Sequence, residues 1–178
     1  HGKNRCGGLE VNKILLDTNA YTNFFKDYPT LEELVQNTSK IFMSPIVIGE
    51  LLEGFKLGNR LAHNIADLEI FLKENGVEIL NVSKETADVY SEIKINLKKK
   101  GRPIPVNDIW IAAQAMENGA VLVTYDQHFG EIDGLRLWKA PTPLSQVPSP
   151  SDTLHPTRPG HQAANAPRST IGTAHPRR

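Results

Sequence analysis

Residues 13–21 read KILLDTNAY, a short apolar run that leads directly into an acid and a polar turn. A continuous apolar run of this length is typical of a strand buried on both faces, as strands in parallel sheets are. Further β-rich runs occupy residues 41–43, 77–80, 120–124 and 135–138. Helical patterns lie between the runs, at residues 31–37, 45–57, 60–75, 84–100 and 109–118. Strands separated by helices predict an α/β protein with three layers (α/β/α) and a central, mostly parallel sheet.

The ends of these helical patterns carry residues that favour helix boundaries. Ser44 and Pro45 supply an N-cap and a first-turn proline, and Ser83 supplies a second N-cap. Gly101 and Gly119 follow helix ends, where a left-handed residue is common. The boundary residues therefore support the same alternation of strands and helices.

The composition predicts one folded domain between two terminal segments. The chain of 178 residues is long enough for one domain with a core, which we place at residues 13–140. We expect the leader, residues 1–12, to be poorly ordered. Residues 141–178 hold eight of the twelve prolines and four Arg against one Asp, which is the composition of a basic, disordered tail.

Composition also limits the compartment and the partners. No stretch approaches the roughly 20 apolar residues of a membrane span, and the first residues lack a signal-peptide run. Cys6 is the single cysteine, which suits a reducing compartment. We therefore expect a cytoplasmic protein with no membrane partner. The net charge is zero, and residues 1–140 hold 16 basic and 19 acidic residues, so a nucleic-acid partner has to be argued from local arrangement.

Four acids are expected to meet at one edge of the predicted sheet. Asp17 and Asp126 follow two apolar strands, and ligands of such sheets bind beyond the carboxyl ends of the strands. Asp108 opens the last helix, and Glu50 lies among apolar residues in the helix that begins at Pro45. Taken singly, each acid has a structural explanation as a helix cap, a turn residue or a solvated side chain.

Taken together, the four carboxylates favour a metal site. Like charges at one edge repel each other unless a cation is present, and the motifs around the acids hold no Lys or Arg. Carboxylate oxygens are the ligands that hard ions such as Mg²⁺ or Mn²⁺ prefer, and such ions also accept phosphate oxygens. A magnesium-dependent phosphodiesterase is the resulting hypothesis.

The motifs around these acids resemble those of a known family. Four stretches, in this order, resemble the PIN domain, in particular the VapC-type ribonuclease toxins of bacterial toxin–antitoxin pairs: DTNAY at 17–21, IGELLEG at 48–54, NDIWIAAQA at 107–115 and VLVTYDQHF at 121–129. The resemblance covers about residues 13–139, with the motif order and approximate spacing preserved. The leader and the tail lie outside it.

The resemblance implies roles for particular residues. The acidic pocket of the family falls on Asp17, Glu50, Asp108 and Asp126, as catalytic residues and ligands of one or two Mg²⁺ or Mn²⁺ ions that activate a water for attack on RNA. Thr124 matches the hydroxyl residue before the last acid, and Asn107 the polar residue before the third; both are expected to support the site. The implied partners are an RNA substrate, a cognate antitoxin whose C-terminal segment occupies the acidic groove, and a second copy of the chain in a homodimer.

Several other side chains have two interpretations. Lys98, Lys99, Lys100 and Arg102 precede the Asp108 loop and are candidates for contacts to RNA phosphates, although cations at a helix C-terminus are also ordinary dipole partners. We expect His128 to be a loop or packing residue rather than a phosphate contact. Phe24, Phe25, Trp110 and Phe129 are expected in the core or in dimer contacts rather than stacked on bases.

Other functional classes remain as alternatives. A phosphoryl-accepting receiver-like domain has the same architecture, but it requires adjacent acids after the first strand, where Asp17 is followed by Thr18. A haloacid-dehalogenase-type phosphatase requires an acid at position 19, which is Asn. A housekeeping PIN nuclease without an antitoxin, and a catalytically idle PIN-like interaction module, remain open.

Overall fold

A computed structural model of the chain describes residues 5–6, 9–10, 12–26 and 29–139. The predicted tail and most of the predicted leader lie outside the described residues. Within the leader, β1 (Arg5–Cys6) pairs antiparallel with β2 (Leu9–Glu10) in a separate two-stranded sheet.

The centre of the fold is a five-stranded, all-parallel sheet in the order β5-β4-β3-β6-β7. Its strands are β3 (Lys13–Leu16), β4 (Lys40–Met43), β5 (Val77–Ile79), β6 (Val121–Thr124) and β7 (Leu137–Lys139). In β3 and β6 the apolar side chains are buried on both faces. These strands are continuously apolar because neither of their faces meets water, as expected for strands of a parallel sheet. The predicted α/β class and central sheet are confirmed.

Among the described residues, six α-helices connect the strands. They are α1 (Thr18–Phe24), α2 (Pro29–Gln36), α3 (Pro45–Leu57), α4 (Leu61–Phe71), α5 (Lys84–Lys100) and α6 (Val106–Glu117). The sheet is entered at β3, extends to β4 and β5, and then returns to β6 on the other side of β3. Because parallel crossovers are right-handed, this reversal places α1–α4 on one face and α5 and α6 on the other. The packing agrees: α3 contacts α1 and α4, and α5 lies along α6.

The predicted helix boundaries at α3 and α5 are confirmed, with their physical causes. The Ser44 hydroxyl accepts a hydrogen bond from the Ile46 N–H, which has no partner inside the helix. Ser83 and Thr86 form a reciprocal capping box at the start of α5. Gly101 ends α5 with φ +66°, a left-handed conformation that favours glycine.

Helix α1 was not predicted, because its residues have low helix propensity. The segment Thr18–Phe24 contains two Thr and two Asn, which compete with the backbone for hydrogen bonds and lower helix propensity. The helix is fixed instead by its cap and its packing: Asp17 accepts from the Thr18 N–H, and Ala20 and Tyr21 are buried. Within the described ranges, no helix is long and apolar enough to cross a membrane.

Candidate active site

The site lies at the carboxyl ends of β3 and β6, where the order in which strands are added to the sheet reverses. These two strands are neighbours although about a hundred residues separate them, and the Asp17 N–H donates to the Val123 carbonyl at 3.0 Å. Two adjacent strands whose connections leave in opposite directions form a crevice at their carboxyl ends, which is where α/β proteins bind ligands. Asp17 and Asp126 therefore both stand at this crevice, as the sequence predicted.

Thr124, the last residue of β6, connects these two acids. Its hydroxyl donates to Asp17 Oδ2 at 2.8 Å and accepts from the Asp126 N–H at 3.0 Å. The Thr124 side chain is fully buried, and Asp17 is 5% exposed. Because the hydroxyl has a donor and an acceptor partner at the same time, its rotamer is fixed, and so is the Asp17 carboxylate.

Glu50 reaches the same crevice from α3. Its carboxylate accepts from the Thr18 hydroxyl at 2.6 Å and from Asn107 Nδ2 at 2.8 Å. Asn107 therefore orients an acid of the site, which agrees with the supporting role expected of it. Helix α6 begins at Val106, three residues before the start of the predicted pattern, with Pro105 at the cap position and no side-chain cap bond.

Asp108 lies in the first turn of α6 and contacts His128. His128 Nε2 pairs with Asp108 Oδ2, and His128 Nδ1 lies 2.6 Å from Asp126 Oδ1. The His128 N–H also donates to Asp126 Oδ1, at 3.3 Å. His128 lies in a short turn and stacks on Phe129, as expected of a loop or packing residue, but its contacts to two of the acids were not foreseen. These contacts were missed because a single histidine two residues after an acid carries no spacing signal, and because the 3₁₀ turn His128–Glu131 that directs it inward is too short to show a periodicity.

Burial and mutual repulsion raise the pKa of two of the acids. For Asp17 the main cause is desolvation; hydrogen bonds from Thr124 and Thr18 oppose it, and the charges of Asp108 and Glu50 add to it. For Asp108 desolvation again raises the pKa, His128 lowers it, and Glu50 and Asp126 raise it further. The four acids are thus close enough for their charges to interact.

The donor set fits a hard divalent cation. It consists of carboxylates, and within the described residues the only basic side chain that pairs with these acids is His128. A cation would relieve the repulsion that raises the pKa of Asp17 and Asp108, and oxygen ligands suit Mg²⁺ or Mn²⁺. In the arrangement observed, no three His, Cys, Asp or Glu side chains of the described chain are grouped closely enough to hold an ion.

The basic residues singled out in the sequence lie at the end of α5 and after it. Lys100 Nζ contacts Asp133 Oδ1 at 2.6 Å and the Glu131 carbonyl at 3.1 Å, and Arg102 lies 3.5 Å from Glu131 Oε1. Lys98 and Lys99 are exposed, and Lys98 borders a largely apolar cavity of about 310 Å³ beside the start of α6. Lys100 and Arg102 thus have acidic neighbours, whereas the structure leaves the charge of Lys98 facing solvent.

The aromatic residues pack among themselves. Phe24 and Phe25 contact Phe71, Trp110 stacks on Tyr90 with ring centroids 4.0 Å apart, and Phe129 is buried. A cavity of about 540 Å³ opens beside Phe24, Phe25 and Phe71, and none of the four acids lines it. The acidic crevice is therefore separate from this apolar cavity.

Two further residues position the site and were not singled out in the sequence for that role. Thr18 orients Glu50, and Gln114 holds α6 to α3 by accepting from the Ser44 hydroxyl at 2.6 Å. Gln114 is fully buried and also donates to the Asn81 carbonyl at 3.1 Å. A signal was available for Gln114, since it is a polar residue in the apolar stretch IWIAAQA and a buried amide needs partners.

Comparison with known proteins agrees with this geometry. The family model of the PIN domain matches residues 14–135. The chain is 35% identical to ribonuclease VapC2 of Haemophilus influenzae, over 70% of this chain and 95% of that protein. It is 31% identical to the tRNA(fMet)-specific endonuclease VapC of Salmonella typhimurium, over 70% and 96% of the two chains.

Solved structures show the same relationship. The DNA-bound VapBC2 complex of Rickettsia felis contains a chain with a TM-score of 0.64 and 32% identity, covering 72% of this chain and 99% of that one. The DNA-bound VapBC of Salmonella typhimurium gives a TM-score of 0.64 at 31% identity, over 71% and 97% of the two chains. The chain therefore belongs to the PIN domain family, and within it to the VapC type.

Proposed function

We propose that this chain is an endoribonuclease, the toxin of a type II toxin–antitoxin system, that cleaves RNA with the help of Mg²⁺ or Mn²⁺. The observation that carries the proposal is the convergence of Asp17, Glu50, Asp108 and Asp126 at one crevice, where cationic side chains are scarce. The names of the relatives support the reaction class, since they are a ribonuclease and a tRNA endonuclease.

The protein's own contribution to catalysis is to hold carboxylates in place. Asp17, Asp108 and Asp126 are the proposed metal ligands, with Glu50 in the inner or outer shell. One or two divalent ions, when bound by these residues, would supply an activated water and would neutralise charge on the phosphate. Thr124 fixes Asp17, while Thr18 and Asn107 fix Glu50. Such outer-shell hydrogen bonds set the orientation of metal ligands and tune affinity.

RNA phosphates need cations close to the crevice. Lys98 and Lys99 are the better candidates, because they are exposed and the charges of Lys100 and Arg102 are already partly neutralised by acids. Phosphate contacts position the strand without reading sequence. Which RNA is cleaved would then depend on other surfaces of the protein.

The proposed protein partner is a cognate antitoxin. The solved relatives are VapBC toxin–antitoxin complexes, and an acidic crevice favours a basic segment of the partner. We propose that the C-terminal segment of the antitoxin occupies this crevice and keeps the metal from the RNA. We also propose that the toxin acts in the cytoplasm, where its substrate is found, and that it forms a homodimer.

Induction of the full chain in a bacterial host tests the proposed function. Cells expressing the wild-type chain should stop growing, and their RNA should carry discrete cuts. An Asp17→Asn twin should do neither, whereas an Asp88→Asn twin, altered in an exposed residue of α5, should behave as wild type. Normal growth and intact RNA in cells that accumulate folded wild-type protein would contradict the proposal. A small reading frame next to the gene that restores growth when co-expressed would separate a toxin from a housekeeping nuclease.

A further inference from the structure

His128 lies between two of the acids proposed to bind metal. One ring nitrogen pairs with Asp108 Oδ2 and the other lies 2.6 Å from Asp126 Oδ1, so each nitrogen contacts a different carboxylate. The two acids come from different elements, α6 and the loop after β6, and the ring is the side-chain contact between them. The His128 ring thus bridges the two carboxylates.

An ion bound by both acids has to compete with this ring. Asp108 Oδ2 and Asp126 Oδ1 both contact the His128 ring, so two oxygens that the ion would take are already engaged. The competition is for the same oxygens and the same space.

The surroundings of His128 allow the side chain to leave while its backbone stays. The next residue, Phe129, is 1% exposed and anchors the 3₁₀ turn in the core, whereas the His128 side chain is 32% exposed. The backbone N–H of His128 also remains bonded to Asp126. A side-chain rotation toward solvent would therefore remove the ring from both carboxylates without unfolding the turn.

We propose that His128 fills the metal position of the metal-free protein and rotates out when the ion binds, so that it lowers the affinity of the site for metal. This inference rests on the proposed metal site. A residue that only pre-arranges the metal ligands would increase the affinity of the site for metal. His128 is proposed to do the opposite, because it competes with the ion for the same oxygens.

Calorimetric titration of the full chain with Mn²⁺ at one fixed pH tests the inference. The His128→Ala variant should bind Mn²⁺ about three- to tenfold more tightly than wild type, since the ion no longer displaces a charge-assisted hydrogen bond that is partly exposed. The control is His63→Ala, which removes an exposed histidine paired with Asp67 on α4 and should leave Mn²⁺ affinity unchanged. Equal or weaker binding by folded His128→Ala would overturn the inference.

A second measurement avoids mutation altogether. In the wild-type protein, Mg²⁺ should shift the NMR resonances of the His128 ring in step with the occupancy of the site, while those of His63 stay fixed. His128 signals that do not change as Mg²⁺ saturates the site would overturn the inference and leave the metal site intact. If neither the wild-type chain nor the variant binds Mn²⁺ or Mg²⁺, the proposed metal site fails and the inference fails with it.

Discussion

The Thr124 hydroxyl donates to Asp17 Oδ2 at 2.8 Å, and this bond joins the carboxyl ends of the two central strands. The Thr124 hydroxyl oxygen also accepts a hydrogen bond from the Asp126 N–H at 3.0 Å. One buried hydroxyl thus sets the orientation of one acid and the backbone position of another. The relationship explains why a threonine, rather than another β-branched residue, ends β6.

Replacing Thr124 with Val should separate this role from packing. Valine keeps the shape of the side chain but leaves the Asp126 N–H without its acceptor and Asp17 Oδ2 without its donor. We expect RNA cleavage to fall about 10- to 100-fold, the usual effect of losing an outer-shell partner. Thr124→Ser keeps the hydroxyl and should retain most of the activity. Equal cleavage rates for Val and wild type would show that the hydroxyl does not position the acids.

The pKa of Asp17 predicts a stability change whose sign depends on pH. Because burial raises this pKa, the folded metal-free protein is destabilised when Asp17 ionises. The contribution of Asp17 to stability is complete below the unfolded value of 3.8 and is lost as the pH rises through the raised folded value. Asp17→Asn removes the charge and keeps the N-cap bond to the Thr18 N–H, since asparagine caps helices well.

Thermal unfolding in the presence of a chelator measures this change. At pH 7 the Asp17→Asn variant should melt a few degrees above wild type, and the difference should close as the pH approaches 3.8. The exposed Asp88→Asn variant should show no such trend. A variant that melts below wild type at pH 7 would mean that the Asp17 charge stabilises the metal-free fold.

The buried Gln114 side chain should contribute to stability through its two hydrogen bonds. Gln114→Leu leaves the Asn81 carbonyl without its side-chain donor and the Ser44 hydroxyl without its acceptor. The Ser44 hydroxyl is fully buried, and an unsatisfied buried group costs about 1–3 kcal/mol of unfolding free energy, so urea unfolding should show a loss of about this size. The exposed Gln36→Leu variant is the matched control, with an expected change within about 0.5 kcal/mol. Similar losses in both variants would contradict the role of Gln114.

Much of the fold could be predicted because its signals are local. The buried strands β3 and β6 are continuous apolar runs, and the start of α3 has both a capping serine and a proline. Helix α1 lacked such a signal, because its polar residues favour other local structures and its stability comes from burying Tyr21. Such helices form because of tertiary packing, and this packing cannot be inferred from the local sequence pattern.

The acids of the candidate site could be predicted for a different reason. Asp17 and Asp126 follow strands whose carboxyl ends must meet at one edge, so topology alone brings them together. The hydrogen bonds among them could not be predicted, because they depend on rotamers. The sequence did not indicate that Asn107 donates to Glu50 or that His128 contacts both Asp108 and Asp126. Metal binding itself stays a prediction.

The most direct test of the acidic crevice as a metal-dependent nuclease site is cleavage of a labelled RNA by the purified full chain, with Mg²⁺ or with a chelator. Wild type should cut at discrete positions with Mg²⁺ and not with the chelator, and Asp108→Asn should reduce cleavage at least 100-fold, as expected for loss of a metal ligand. An Asp133→Asn control, changed in an exposed acid that pairs with Lys100, should cut like wild type. Undiminished cleavage by Asp108→Asn, or by wild type in the chelator, would contradict the account.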